Sequence, residues 1–179
     1  MTGHDDLHLQ AFHALQAHRA AMQSAVAEAG SATAPIPASR MVAYARRADS
    51  TADLALERAL RERPGLRLLY ARVLSGIAVA ASPRAAAASD ARVTQRRIGE
   101  HRLEVVPEAD GLSWLVLRLA DGAGAVTMLE LRGPDGTGRR IALGAPIDGV
   151  IQLPLDEAFA DLAGVAQLIG NPGTEIYLL

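Results

Sequence analysis

The hydrophobic period changes once along the chain, and that change limits the fold more than any other feature. Before about residue 80, apolar residues recur at three- and four-residue steps, the spacing of one helix face. From about residue 99 they fall in short runs rich in Val, Ile and Leu, broken by turn residues. A segment of one period cannot settle into the other structure without exposing half its apolar side chains. The expected fold class is therefore α+β: an N-terminal α-helical bundle over 1–81, a linker over 82–98, and a small, mostly antiparallel β-sandwich-like domain over 99–179 with one helix.

The helical half is read from its stripes. Phe12, Leu15, Met22 and Val26 line one face of a helix predicted over 5–29, which Gly30 ends. "SATAPIPAS" (31–39) is a connector, and a short helix is predicted at about 38–47. The most regular stretch is "ADSTADLALERALRERPGLRLLYARVL", from Ala48 to Leu74. Ser50 with Asp53 three residues on resembles a capping box. Leu56, Ala59 and Leu60 form a buried stripe, and Glu57–Arg61 and Arg58–Glu62 are i,i+4 pairs expected on the outer face. Pro64-Gly65 breaks the helix. Leu66, Leu69, Tyr70, Val73, Leu74 and Ile77 then give a second amphipathic face. Leu69, Tyr70 and Val73 are expected to be buried, and Arg58, Arg61 and Arg67 exposed. The two stripes need covering, which a bundle with the preceding helices would provide.

Six strands are expected in the second half: 103–106, 113–120, 126–132, 139–143, 149–155 and 174–179. Within Ser113–Ala120, Leu115, Leu117 and Leu119 face one way, and Trp114, Val116 and Arg118 the other. One helix interrupts the strands. Asp156 is its expected cap, Phe159, Leu162, Ala166 and Ile169 line it, and Gly170-Asn171-Pro172 stops it.

Composition then restricts the chemistry. Half of the residues are apolar but aromatics are only 3%, so the core is aliphatic. There is no cysteine, which removes disulfides and thiolate metal sites. All 18 basic residues are Arg; with abundant Ala and Gly this reads as GC-rich bacterial coding and not as a functional choice. The net charge of −2 hides a split. Residues 1–98 hold 13 Arg and 8 acidic residues, a net of +5, and residues 99–179 hold 5 Arg and 12 acidic residues, a net of −7. Such a split suits either attraction between the two halves or an acidic partner for the basic half; a net of +5 is too modest to argue nucleic acid, and the aromatic residues that stack bases are missing. "MTGHDDLHLQ" lacks the apolar run of a signal peptide. The longest apolar-and-small run of the first half, Val73–Pro83, is 11 residues, against about 20 needed to span a bilayer. A soluble, cytoplasmic protein without membrane contact is expected.

No residue set converges on catalysis. His4 and His8 have a metal-gripping i,i+4 spacing, but at the extreme N-terminus. His8, His13 and His18 are five apart and cannot face one ion. His101 is expected as a surface or edge residue, with no nucleophile elbow to serve. "GPDGTGRR" (133–140) is followed by a strand pattern, so it reads as a hairpin loop and not as a phosphate loop. No cofactor, metal or catalytic residue is expected. What remains is the arginine content of the helices. Arg46, Arg47, Arg58, Arg61 and Arg67 are the candidate partner-binding residues, set against the simpler reading of a solvated face.

"MVAYARRADSTADLALERALRERPGLRLLYARVL" (41–74) resembles the N-terminal helical domain of bacterial anti-sigma factors, in which a short helix is followed by a Leu/Glu/Ala-rich helix, a break and a further helix. A β-rich domain often follows a connector. Pro64–Leu74 and the β-rich tail match that order. The chain lacks the cysteines of zinc-binding members and has no spanning helix between its halves. The resemblance implies a soluble, zinc-free regulator that sequesters a sigma factor or another partner protein. The alternatives are an adaptor or structural subunit of a bacterial multi-protein complex, or an enzyme with an interdomain site.

Overall fold

The structure is a computed structural model and describes residues 35–82, 94–107, 113–122, 124–156, 158–159 and 162–179. Among these residues the chain is mixed α and β, with four helices and two antiparallel four-stranded sheets. The elements in order are α1 (Ala38–Ala45), α2 (Leu54–Glu62), α3 (Pro64–Ile77), β1 (Ala80–Ser82), β2 (Gln95–Ile98), β3 (His101–Pro107), β4 (Ser113–Arg118), β5 (Met128–Arg132), β6 (Gly138–Ala142), β7 (Val150–Leu155), α4 (Val165–Gly170) and β8 (Glu175–Leu178). The helix expected over 5–29 and the histidines from His4 to His18 lie outside the described residues.

One sheet runs β1-β8-β5-β6 and the other β2-β3-β4-β7. Their facing side chains make a single aliphatic core. Leu103, Leu117 and Ile151 stand in register across β3, β4 and β7. Leu129 lies between Ile141 and Leu178 in the first sheet. All six are buried in the same cluster, which also takes in Val165 and Ile169 of α4. The alternation expected in β4 holds: Leu115 and Leu117 are buried in this core, Leu119 packs against it, and Arg118 is exposed.

The outer face of the first sheet carries α1, α2 and α3. Met41, Tyr44, Leu56, Leu60, Tyr70 and Leu74 form a second buried cluster, and Tyr177 of β8 belongs to it. The described helices are thus laid on a sheet whose other face lines the aliphatic core. Strand β5 is buried on both sides as a result. Leu129 and Leu131 turn to the aliphatic core, whereas Glu130 and Arg132 turn to the helices.

Several local expectations are corrected. Helix α2 starts at Leu54, and Asp53 is itself the N-cap, its carboxylate accepting from the Leu56 N–H at 3.1 Å. A capping aspartate satisfies a free donor of the first turn, so Ser50 stays outside the helix. Leu69 and Val73 are half-buried, and only Tyr70 of that trio is fully buried. His101 is buried, its Nδ1 accepting from the Ala120 N–H at 3.0 Å; the strand pairing of β3 with β4 brings this partner alongside. Phe159 is 63% exposed and lies outside the helix described there, Val165–Gly170, which residues 162–164 precede as a turn. Asp156 accepts from the Ala158 N–H.

Strands β1 and β2 lie at the two ends of the segment expected as a linker. β1 contains only "AAS" and pairs with β8. β2, "QRRI", carries a charge at a buried position, which hides its alternation. Arg96 of β2 turns inward and donates to the carbonyls of Asn171 and Thr174, tying β2 to the turn before β8.

Candidate functional site

The helices meet the sheet through charge. Strand alternation sends Glu130 and Arg132 toward the helices, and cross-strand register places Arg140 opposite Glu130. From the other side α2 contributes Glu57 and α1 contributes Tyr44. Arg132 donates Nη1 and Nη2 to the two carboxylate oxygens of Glu57, both at 2.8 Å. Its Nε and Nη2 also reach Glu130 Oε1 at 2.8 and 2.6 Å. Arg140 donates Nη1 to Glu130 Oε2 at 3.1 Å. The Tyr44 hydroxyl donates to Glu57 Oε1 at 2.8 Å. Two carboxylates thus face two guanidinium groups, and the buried charges cancel. Burial of unpaired charge would be prohibitive, so this closure is what permits the cluster to exist.

The arginines also hold helix ends and aromatic rings. Arg140 donates Nη1 to the Tyr44 carbonyl at 2.7 Å and Nη2 to the Arg47 carbonyl at 2.8 Å. These are carbonyls at the C-terminal end of α1, where helical partners run out. Arg140 stacks 4.6 Å from the Tyr44 ring centre and Arg132 4.8 Å from that of Tyr70, geometry that favours the cation. Gly138 has a structural reason: a Cβ there would collide with the Arg132 guanidinium and approach Glu57 Oε2 to 2.9 Å.

Burial works to raise the Glu57 carboxyl, but the Arg132 hydrogen bonds and charge, helped by Tyr44, prevail and hold it below the usual carboxylate range. For Arg132 burial works against the charged form, and Glu130 and Glu57 outweigh it. Burial and the Glu57 charge push the Tyr44 phenol far above the ordinary tyrosine range. These shifts favour the charged Glu57–Arg132 pair and the neutral Tyr44 phenol that donates to it.

Sequence reasoning placed Glu57 on the outer face with Arg61. The structure turns it inward to Arg132, 75 residues away. Arg58 and Glu62 are both exposed and make no ion pair with each other. A helix wheel leaves Glu57 beside Leu56 and Leu60, so its position at the edge of the apolar stripe was the one available signal. Of the candidate arginines, Arg46, Arg58 and Arg61 are exposed and have no ion pair among the described residues. Arg47 is engaged with Asp49 at 2.9 Å. Arg67, expected to be exposed, is half-buried. Its Nη1 donates to the carbonyls of Leu60 at 3.2 Å and Arg61 at 2.9 Å, at the end of α2. Arg61 and Arg67 are therefore brought together at the α2–α3 junction, while Arg46 and Arg47 lie at the end of α1.

Two hollows flank the latch. One of about 420 Å³ is lined by Tyr44, Thr51, Leu54, Glu57, Arg61 and Arg140. The other, of about 230 Å³, lies between α3 and the β5–β6 loop; Leu60, Leu68, Tyr70, Ala71, Arg132 and Pro134 line it. Among the described residues no helix is long and apolar enough to cross a membrane. The chain matches no protein-family profile, and no curated protein or solved structure matches it.

Proposed function

We propose that the chain is a cytoplasmic, non-catalytic protein-binding regulator of the anti-sigma kind, which sequesters a sigma factor or another partner protein on its helical layer. One observation carries the reading: the charges of the helical layer are sorted. Inward-turned charges are closed among themselves, as in Glu57 with Arg132. The outward arginines Arg46, Arg58, Arg61 and Arg72 are left without ion pairs among the described residues. Exposed aliphatic side chains lie among them, Leu54 at 77% and Leu68 at 62%. Leu54, Arg58 and Arg61 share one face of α2, and Leu68 and Arg72 one face of α3. Aliphatic side chains beside exposed arginines that make no ion pair suit an acidic, partly apolar protein partner.

The test is capture of the tagged chain from its native cell, followed by reconstitution with the protein that co-purifies. A stoichiometric complex with a sigma factor, which lowers transcription from that factor's promoter, supports the reading. A complex with subunits of a larger assembly and no effect on transcription favours the adaptor instead. A turnover activity abolished by one point substitution overturns both.

A further inference from the structure

We infer that the trough between α3 and the rim of the first sheet is the seat for one amphipathic segment of a partner protein, carrying aliphatic anchors on one face and a carboxylate beside the first anchor. The proposal rests on the protein-binding reading above and adds to it a place and a chemistry.

The trough has two connected parts. The hollow of about 230 Å³ at the β5–β6 loop has walls of Leu60, Leu68, Tyr70, Ala71 and Pro134, a volume that takes one aliphatic side chain. A second hollow of about 270 Å³ continues along α3 to β1, between Arg72, Ser75, Ala81 and Ser82. Leu68, Ala71 and Glu175 line both. Leu68 thus stands on the shared rim, 62% exposed, although it is a large aliphatic residue in the middle of a packed helix. Helix α3 has 14 residues, about 21 Å of length, and two hollows along it match two anchors one or two turns apart on an incoming helix.

Polar groups at the mouth specify the occupant. Arg67 lines the first hollow, and all of its hydrogen bonds run through Nη1, to the carbonyls of Leu60, Arg61 and Asp135. Its Nε and Nη2 donors make no hydrogen bond among the described residues, although its charge also acts on the Asp135 carboxylate, and the guanidinium is held in place by the Nη1 bonds. A prepositioned arginine with donors to spare recognises a carboxylate. Arg72 gives the second hollow the same sign of charge. Glu175 lines both hollows but already accepts from the Tyr177 hydroxyl at 2.9 Å. It keeps a second carboxylate out of the middle of the trough, so the acidic residue belongs at the Arg67 end.

The experiment is selection of random 15-residue peptides displayed on phage against the full-length chain, followed by anisotropy measurements on the enriched peptides. The expected peptides carry two aliphatic residues at helical spacing and an Asp or Glu next to one of them. Leu68→Glu, at an exposed site, and Ala71→Trp, which fills the first hollow, should each weaken binding at least about tenfold. Arg67→Gln should weaken only peptides that keep the acidic residue. Enriched peptides that are basic, or that bind Leu68→Glu and Ala71→Trp as tightly as the parent, overturn the proposal, as does selection that enriches nothing. The two readings fail separately. A captured partner that binds the trough variants as tightly as the parent removes the trough and leaves the regulator. Acidic-aliphatic peptides that map to the trough without any sigma factor in the native complex do the reverse.

Discussion

Arg132 on β5 and Glu57 on α2 form a two-point ion pair across 75 residues of chain, with both hydrogen bonds at 2.8 Å and both side chains more than nine-tenths buried. The pair fixes where the helical layer sits on the first sheet, because two parallel N–H···O bonds set both distance and rotation. Replacing Arg132 by Met leaves Glu57 buried without its ion-pair partner and Glu130 with Arg140 as its one remaining guanidinium. Such a break is expected to cost about 3–5 kcal/mol, read as a lower denaturation midpoint in urea. Glu57→Gln keeps the shape and one acceptor and should cost less. An Arg132→Met protein as stable as the parent would show that the latch contributes no net stability.

Acid should unfold the protein at its carboxylates. Glu57 lies below its ordinary value because the Arg132 bonds and charge, with Tyr44, outweigh burial. Asp53 is held low by the Arg40 hydrogen bonds, which more than offset its burial. A carboxylate with a depressed folded value contributes stability that is complete above its unfolded value of about 4 and is lost as the pH falls through the folded value. Stability measured by urea titration should be level from about pH 5 to 7 and fall steeply below about pH 4. In Glu57→Gln the acid limb should be shallower. An unchanged limb would place the acid sensitivity elsewhere.

At the other end of the scale, the three tyrosines of the chain, Tyr44, Tyr70 and Tyr177, are all raised, burial being the first cause for each. Folding therefore favours the neutral phenol. That contribution is present below the unfolded value of about 10 and disappears as the pH rises toward the folded value. Phenolate absorbance near 295 nm should stay low past about pH 11 and then appear together with loss of the folded circular dichroism. Phenolate absorbance at pH 10 in a chain with intact secondary structure would contradict the burial of these rings.

How much of this was legible in the sequence depends on the range of each interaction. Helices α1 to α3 and six of the strands follow from local period and turn residues, and the sequence positions of Leu56, Leu60 and Leu74 already mark them as core. β2 escaped because Arg96 occupies an inward position, and a charged residue there breaks the pattern that strand reading depends on. β1 escaped because three small residues carry no period at all. The latch was illegible for a deeper reason. Its members come from α1, α2, β5 and β6, and nothing local says that Glu57 will meet Arg132. The same holds for Arg67, whose carbonyl partners depend on the turn at Arg63-Pro64. The arginines named from sequence as partner-binding residues include Arg47 and Arg67, which the fold engages with Asp49 and with backbone carbonyls respectively.

The chain should be intolerant at two glycines, Gly136 in the β5–β6 loop and Gly138 at the start of β6. Gly136 has φ of +86°, and a Cβ there would lie 2.5 Å from the Leu60 carbonyl oxygen and 2.9 Å from Arg61 Cα. Gly136→Ala therefore combines backbone strain with a collision against backbone at the end of α2, and should cost about 1–3 kcal/mol. Gly138→Ala should cost at least as much, because the added methyl displaces the Arg132 guanidinium from Glu57. Gly124, exposed and with open space around its Cβ position, is the control, and Gly124→Ala should change the melting temperature little.

The arginines of the helical layer should separate into two kinds. Arg58 and Arg61 are exposed without ion pairs, so Arg58→Ala and Arg61→Ala should leave stability within about 0.5 kcal/mol. Arg67 caps the last carbonyls of α2 with two hydrogen bonds, at 3.2 and 2.9 Å. Arg67→Ala frees those acceptors and should cost about 0.5–1.5 kcal/mol. In partner binding the order changes. Exposed arginines attract an acidic surface over the screening length, about 8 Å at physiological salt. The Arg58→Ala, Arg61→Ala double variant should associate more slowly and show a flatter salt dependence while dissociating at nearly the parent rate. Arg67→Gln should instead speed dissociation, since a prepositioned guanidinium acts at contact range. Surface plasmon resonance at low and at physiological salt reads both effects. If the double variant matches the parent's association rate at low salt, Arg58 and Arg61 are only a solvated face, and the charge sorting of this layer has no part in recognition.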